Sequence, residues 1–522
     1  MRFSVLIVLL LGNFLHAQNG TLKNNFGSQG KLSVDIDDLD HLVGLLKDDQ
    51  NNTYFYGNTS DYQGGNYPLD IFFGKMDEYG DLDPSFGTNG IVRLDFPGFE
   101  KSTINKAAFH NSGIYFIGQG ANNSSPDTFA LWIGKINLDG STDLNFAQNG
   151  FFTSQFLGTY NTAGSIIIDT DDKVVFCGST TDDQGTLVEY PLMGRLNLNG
   201  DPDSTFGNTG LIVYDYYQDS ILDASELPAG QPMRHGDGAY SSELVEINNS
   251  YFAAGKFVGI SYSQLNVMSI TKAGTSNPNF LSSGPLVFQV EAGYNHFLNE
   301  IAFNGSKVLL GFETQGSLYG HHLIQIVDTT GFIENYIDME TTGFFMRTKF
   351  VKLWNDRLFV GGYHLDQNNV APGYHSDVAQ VYCLDNQMQQ IPSFNFNEDL
   401  NPNEELGAED LVLHNSFGIV GGYMNNIVDT NTTDLFFMAF EVNDELSVLE
   451  QSNDFKVYPN PTTDFIKSSS IIGTYQLISM SGEVVMEGIA DHEIDLSRID
   501  SGTYLLLLDK KPNPIRIIKT SF

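Results

Sequence analysis

Arg234, His235 and Asp237 fall within four consecutive positions, and His364, Asp366 and His375 share a second short stretch. An imidazole near a carboxylate and a guanidinium is a set able to take up a proton, return it and hold developing charge. His321 and His322 add a third imidazole cluster. The compact signatures of familiar hydrolases and nucleotide enzymes are absent: there is no G-x-S-x-G, H-E-x-x-H, C-x-x-C or phosphate-binding loop. The sequence therefore assigns no catalytic residue and leans away from an enzyme, while a site assembled from separated segments stays open.

Two acidic runs could ligate a hard cation: Asp35, Asp37, Asp38 and Asp40, and then Asp169, Asp171 and Asp172. Neither has full D-x-D-x-D-G spacing, and the second falls where a hairpin turn is expected before Val174. Turn and surface roles are the reading, with no metal site and no cofactor, and Ca2+ as the alternative.

The elements that must position these residues repeat every sixty residues. Phe26, Phe86, Phe146 and Phe206 each open an F-(G/A)-x-x-G segment ending at Gly30, Gly90, Gly150 and Gly210. Such regularity marks a modular fold in which neighbouring copies bury each other's apolar faces. A second run closes on glycine at Gly57, Gly118, Gly178, Gly255, Gly311, Gly362 and Gly422. With 52 Gly and 12% aromatic residues, the chain favours short strands and tight turns. Four short strands per unit predict an all-β chain: a seven-bladed β-propeller over residues 18–445, followed by a small C-terminal β-sandwich over 446–522.

The N-terminal strand Lys31 to Val34 is expected to complete the last blade, beside an inner-type strand from Leu435 to Val442, so that no edge is left open. Lys75, Lys135 and Arg195 recur at one place in the unit and are expected to make ion pairs or cover apolar surface. From Phe206 to Gly255 there are 49 steps, against 32 from Phe86 to Gly118. The insert holds Arg234, His235 and Asp237, and a second long loop follows Gly362. Both are expected to border one mouth of the central channel, with His321 and His322, and that mouth is the candidate binding face.

Residues 69–92, 129–152 and 189–212 resemble the repeat of the delta-60 family, most closely from Phe129 through Asn137, Asp139, Gly140, Asp143 and Phe146 to Gly150. The resemblance implies a propeller and no assigned chemistry. Later copies depart, with Asn277 and Ile391 in the motif's Asp slot. From Leu446 the pattern changes to V-Y-P-N-P, S-G-E-V-V, L-x-x-I-x-x-G-x-Y and a terminal R-I-I-K. This stretch resembles the type A C-terminal sorting domain of the type IX secretion system of Bacteroidetes, and the resemblance carries over to Pro459, Asn460, Pro461, Gly482, Gly502, Tyr504 and Lys519. It implies passage across the outer membrane through that machinery and release or attachment at the surface.

Residues 1–17, with Arg2, an apolar run from Phe3 to Leu11 and Ala17 before Gln18, read as a secretory signal peptide. No other segment is long and apolar enough to span a bilayer. The formal charge of −38 lies almost entirely before residue 446 and repels nucleic acid and anionic lipid. Cys177 and Cys383 are expected to be buried free thiols. The sequence thus points to a monomeric, secreted or outer-membrane-attached propeller that binds a glycan or protein. The alternatives are a channel-mouth hydrolase or lyase using Arg234, His235, Asp237, His364 and His375, or a structural surface or motility-associated protein.

Overall fold

A computed structural model describes residues 20–520 except for short stretches, among them 62–68, 154–159, 182–188, 224–237, 339–345, 367–375 and 443–456. The chain divides into two compact units, Met1–Val442 and Asn443–Phe522. Its elements are strands throughout, and no helix among the described residues is long and apolar enough to cross a membrane.

In the first unit the strands form successive antiparallel groups of four, with a fifth in one of them, and all but the closing group are built in chain order from inside to outside. The innermost strands are Leu39–Lys47, Lys101–His110, Asn161–Ile168, Gly238–Ile247, Asn295–Phe303, Met346–Trp354 and Glu404–Leu413. Each touches the next, and the last touches the first, so the described groups close into a propeller ring. The closing group is Glu404–Leu413, Phe417–Asn426 and Thr433–Glu441, with Lys31–Val34 as its fourth strand. Lys31 pairs with Met438 and Val34 with Leu435. The N-terminal strand therefore completes the last group, as expected, but Thr433–Glu441 is that group's third strand, two places further out than the inner position expected of Leu435 to Val442.

The Phe motif latches one group to the next. Phe26, Phe86, Phe146, Phe206 and Phe280 are buried in the cores between groups. The residue after each Phe turns into the left-handed region, and its N–H donates to a hairpin carbonyl of the following group: Gly87 to Asp139 at 2.9 Å, Ala147 to Asn199 at 2.7 Å and Gly207 to Ala273 at 3.1 Å. At Ala147 (φ 46°) and Leu281 (φ 43°) a side chain holds a conformation it disfavours, which explains why glycine fills this place after Phe26, Phe86 and Phe206.

The recurring basic residue pairs with the motif's aspartate, as expected: Lys75 to Asp83 at 2.7 Å, Lys135 to Asp143 at 2.8 Å and Arg195 to Asp203 at 3.0 Å. Where the aspartate is lost, its partner is lost with it. Asn277 bonds Ser269 at 3.0 Å, and Ile391 stands against Cys383, while the same backbone turn persists in both. Cys177 and Cys383 are buried and unbridged, and burial pushes both thiols up to about 12. Part of the long insert is also explained, because Ser220–Asp223 adds a fifth strand to the outer edge of its sheet, pairing with Leu211–Asp215.

The second unit is a sandwich of a three-stranded and a four-stranded sheet, closed over Ile466, Leu477, Ile494, Leu496, Tyr504, Leu506 and Ile517. Its motif residues act on the backbone. Lys519 donates to the carbonyls of Leu496, at 2.6 Å, and Ile499, while the Tyr504 hydroxyl donates to Asp500 at 2.7 Å. Lys519→Met is expected to destabilise this unit by about 1–3 kcal/mol by orphaning those carbonyls, and an unshifted denaturation midpoint would refute it. Pro459, Asn460, Pro461 and Gly482 lie outside the described residues.

Candidate functional site

The recurring glycine shapes the channel. In six groups it stands on the second strand, opposite the inner-strand residue just before a β-bulge, and at Gly57, Gly118, Gly178 and Gly422 a Cβ would collide with the carbonyl of His41, Thr103, Thr162 and Gly407 of the inner strand. In the fifth group Gly311 lies one place earlier, opposite Glu300, and Phe312 takes the usual slot. Every inner strand shifts register here, and a bulge re-aims the side chains beside it.

The first position after the bulge carries Lys106, Glu243, Glu300 and Asp410 in four groups. The sixth group has Phe350 there and supplies Lys352 two residues on. These five side chains meet across the channel as an ionic belt. Lys106 lies 3.3 Å from both Glu243 and Glu300, and Lys352 lies 2.9 Å from both Glu300 and Asp410. Asp410 also accepts the Leu45 N–H at 2.8 Å, tying the first group to the seventh. The two lysines keep 26% and 25% exposure because they face the channel space, although protein surrounds them on every side.

With three carboxylates against two ammoniums, Glu243 is the carboxylate that most readily keeps its proton. Burial, with Glu300 adding repulsion against the pull of Lys106, raises Glu243 to about 7. Glu300 goes the other way, because two lysines outweigh its burial. Lys106 and Lys352 lie above the ordinary lysine value: burial opposes their charge, and the surrounding carboxylates outweigh it.

At the channel mouth lies a cavity of about 650 Å3 lined by His41, Asn58, Lys349, Tyr363, Glu409, Tyr423 and Asn425, with Leu39, Asp40, Ser60, Leu69 and Thr433 completing its wall. Lys349 and Glu409 are themselves bulge residues and pair at 2.9 Å. Lys349 also sits over the Tyr363 ring, 5.6 Å from its centre. The rings of His41 and Tyr423 stack at 6.0 Å, and Tyr363 meets Tyr423 edge-on at 6.3 Å. His41 is open to the cavity but crowded by its walls. That crowding, with Lys349 adding repulsion against the pull of Glu409, keeps its pKa below the usual histidine value.

Asp40 is 1% exposed, and its oxygens accept the Ile36 N–H at 2.7 Å and the Thr59 hydroxyl at 2.6 Å. Burial raises it to about 6. It pins the loop leading into the first inner strand. The other acidic run is similarly engaged: Asp169 caps its own turn and accepts from Tyr251 at 2.5 Å, while Lys272 reaches Asp171 at 2.7 Å.

Of the residues expected at the mouth, Arg234, His235, Asp237 and His375 lie outside the described residues. His321 and His322 fall at the start of Gly320–Asp328, and His364 and Asp366 at the end of Arg357–Asp366. Of these, His364 directly follows Tyr363, which lines the cavity. Sequence reading missed His41, Lys349, Glu409 and the whole belt. Aligning the inner strands on the recurring glycine would have found four of the five belt residues, because Lys106, Glu243, Glu300 and Asp410 share the first register position after the bulge.

Residues 456–519 match the family model of the secretion system C-terminal sorting domain. The protein is accordingly exported by the type IX secretion system to the cell surface or the extracellular space, and the domain implies contact with that machinery. No curated protein matches the chain in sequence. Solved structures similar in fold include a protein of unknown function from Dyadobacter fermentans, at 9% identity over 79% of this chain and 98% of that one, with a TM-score of 0.39. An ulvan lyase shares 8% identity over 79% of this chain and 96% of its own, with a TM-score of 0.44. The sialidase of Trypanosoma rangeli, solved with sialic acid, shares 9% over 92% and 70%, with a TM-score of 0.35.

Proposed function

We propose that the chain is a secreted or surface-attached, monomeric, seven-bladed propeller of delta-60-like repeats that serves as a binding scaffold. In this reading residues 1–17 direct export from the cytoplasm of a Bacteroidetes-like cell, and the sorting domain completes it. The ligand is a glycan or protein held at the channel mouth.

One observation carries this reading: an aromatic wall and an ion pair converge on a single concave cavity of ligand size, built by bulges in the inner strands. The histidines and carboxylates expected there, His321, His322, His364 and Asp366, would extend the rim of the same face, with Arg234, His235, Asp237 and His375 belonging to its loops.

Glycan-array and pull-down measurements on the secreted protein test it. Tyr423→Ala removes the ring that both His41 and Tyr363 pack against, and about tenfold weaker binding is expected, an aromatic contact being worth about 0.5–1.5 kcal/mol beyond its buried area. Unchanged affinity would move the ligand elsewhere. Release of shortened or unsaturated oligosaccharide would give the hydrolase or lyase reading instead.

A further inference from the structure

We infer that the mouth cavity takes an uncharged saccharide and discriminates against polyanionic ones. The inference rests on the cavity being the ligand site and names the class of ligand that its charges admit.

Among the described lining residues Lys349 is the one permanent cation, and its charge is spent. Its ammonium is 2.9 Å from Glu409 and lies against the Tyr363 ring. A uronate or sulfate ester entering the cavity would have to compete with Glu409 for it and leave that carboxylate unpaired in a partly dry site, which is costly. His41 offers little compensating charge, because the crowding of its ring disfavours the protonated form.

The approach is also negative. The loop leading into the strand of Asp40 holds Asp35, Asp37 and Asp38, of which Asp37 pairs with Arg93 at 2.6 Å, and Asp434 follows Thr433 of the wall. Asp434 registers this field: burial and then Asp35 raise its pKa. With the formal charge at −38, polyanions are repelled before they arrive.

What the cavity does offer suits a neutral sugar. Rings of His41, Tyr423 and Tyr363 form a continuous aromatic wall for the C–H face of a pyranose. Asn58 and Asn425 spend their side-chain oxygens on the fold, accepting from the Ile104 N–H at 2.9 Å and the Thr433 hydroxyl at 2.7 Å. Among the described residues their amide N–H groups meet no acceptor and can donate to ligand hydroxyls. A volume of about 650 Å3 is within the range of small-ligand cavities.

The test compares full-length secreted wild type with the Tyr423→Ala and Glu409→Gln variants. The probes are neutral hexasaccharides of glucose, xylose and mannose, and hexasaccharides of galacturonate and sulfated galactose, in low and high salt. At least one neutral probe is expected to bind ten times more tightly than either anionic probe, with little salt dependence and with loss in Tyr423→Ala. Glu409→Gln frees Lys349 and is expected to bring salt-sensitive binding of the anionic probes. Tighter wild-type binding of an anionic probe, lost in Tyr423→Ala, would overturn the inference and leave the site standing. Binding indifferent to Tyr423, or none at all, would overturn both. The wild-type comparison decides the matter even if Glu409→Gln fails to fold.

Discussion

Lys352→Met is expected to destabilise the propeller unit by about 3–5 kcal/mol, the range for removing one partner of a buried ion pair. Lys352 is the ammonium shared by Glu300 and Asp410, at 2.9 Å from each. Without it, Lys106 alone faces three carboxylates, and Lys106 reaches Glu300 only at 3.3 Å. The methionine would fill the volume of the stem, so the loss comes from the stranded charge. Adding Glu300→Gln to Lys352→Met is expected to recover much of it, because one charge then leaves with its partner. A single variant that shifts the denaturation midpoint by less than about 1 kcal/mol would show that channel water screens the belt.

The belt also fixes a sign for pH. Glu243 has a folded-state pKa raised to about 7, above the ordinary glutamate value it regains on unfolding. Between those two values the folded state holds a proton that the unfolded state has lost. Stability from this group is therefore full below the ordinary glutamate range and falls as pH rises to about 7. Glu243→Gln is expected to flatten that part of the stability profile, and a parallel profile in variant and wild type would remove Glu243 as its source.

The second large effect concerns closure. Removal of residues 18–35 is expected to lower the melting temperature of the whole propeller, because it takes away the fourth strand of the last group and exposes an edge. It also removes Phe26, fully buried, and Val34 from a core shared with Phe55, Phe72 and Phe437. Phe26→Ala alone is expected to cost about 3–5 kcal/mol, typical of a buried phenylalanine cut to alanine. Its motif backbone also joins the two ends of the chain: Gly27 N–H donates to Tyr79 at 2.8 Å, and Gly30 accepts from Ala439 at 2.9 Å. If the deletion melts like the intact protein, the ring does not depend on this strand.

Much of this architecture was legible in the residues because a repeat writes its local rules many times. The Phe motif needs a left-handed turn after a buried ring, and only a few residue types meet that need, so the pattern shows at Phe26, Phe86, Phe146 and Phe206. The recurring glycine marks a bulge because a Cβ there would meet an inner-strand carbonyl, as at Gly57 and Gly118, and the basic-acidic pairing from Lys75 to Asp83 spans eight residues within one unit. The sorting motif is local too, with Leu496, Ile499, Asp500 and Tyr504 joined through one turn and Lys519.

The amino-acid sequence by itself determined the all-β class, the repeat and the export route, since each rests on motifs repeated or completed within a short span, and the closing strand followed from the phase of the repeat where it starts and stops. Tertiary structure alone decided where charge and aromatic surface gather. Lys106, Glu243, Glu300, Lys352 and Asp410 are isolated in the chain, and so are His41, Lys349, Tyr363, Glu409 and Tyr423. Ring closure brings them to one axis, where the field of neighbours from other groups sets their ionisation, and no single segment contains that field.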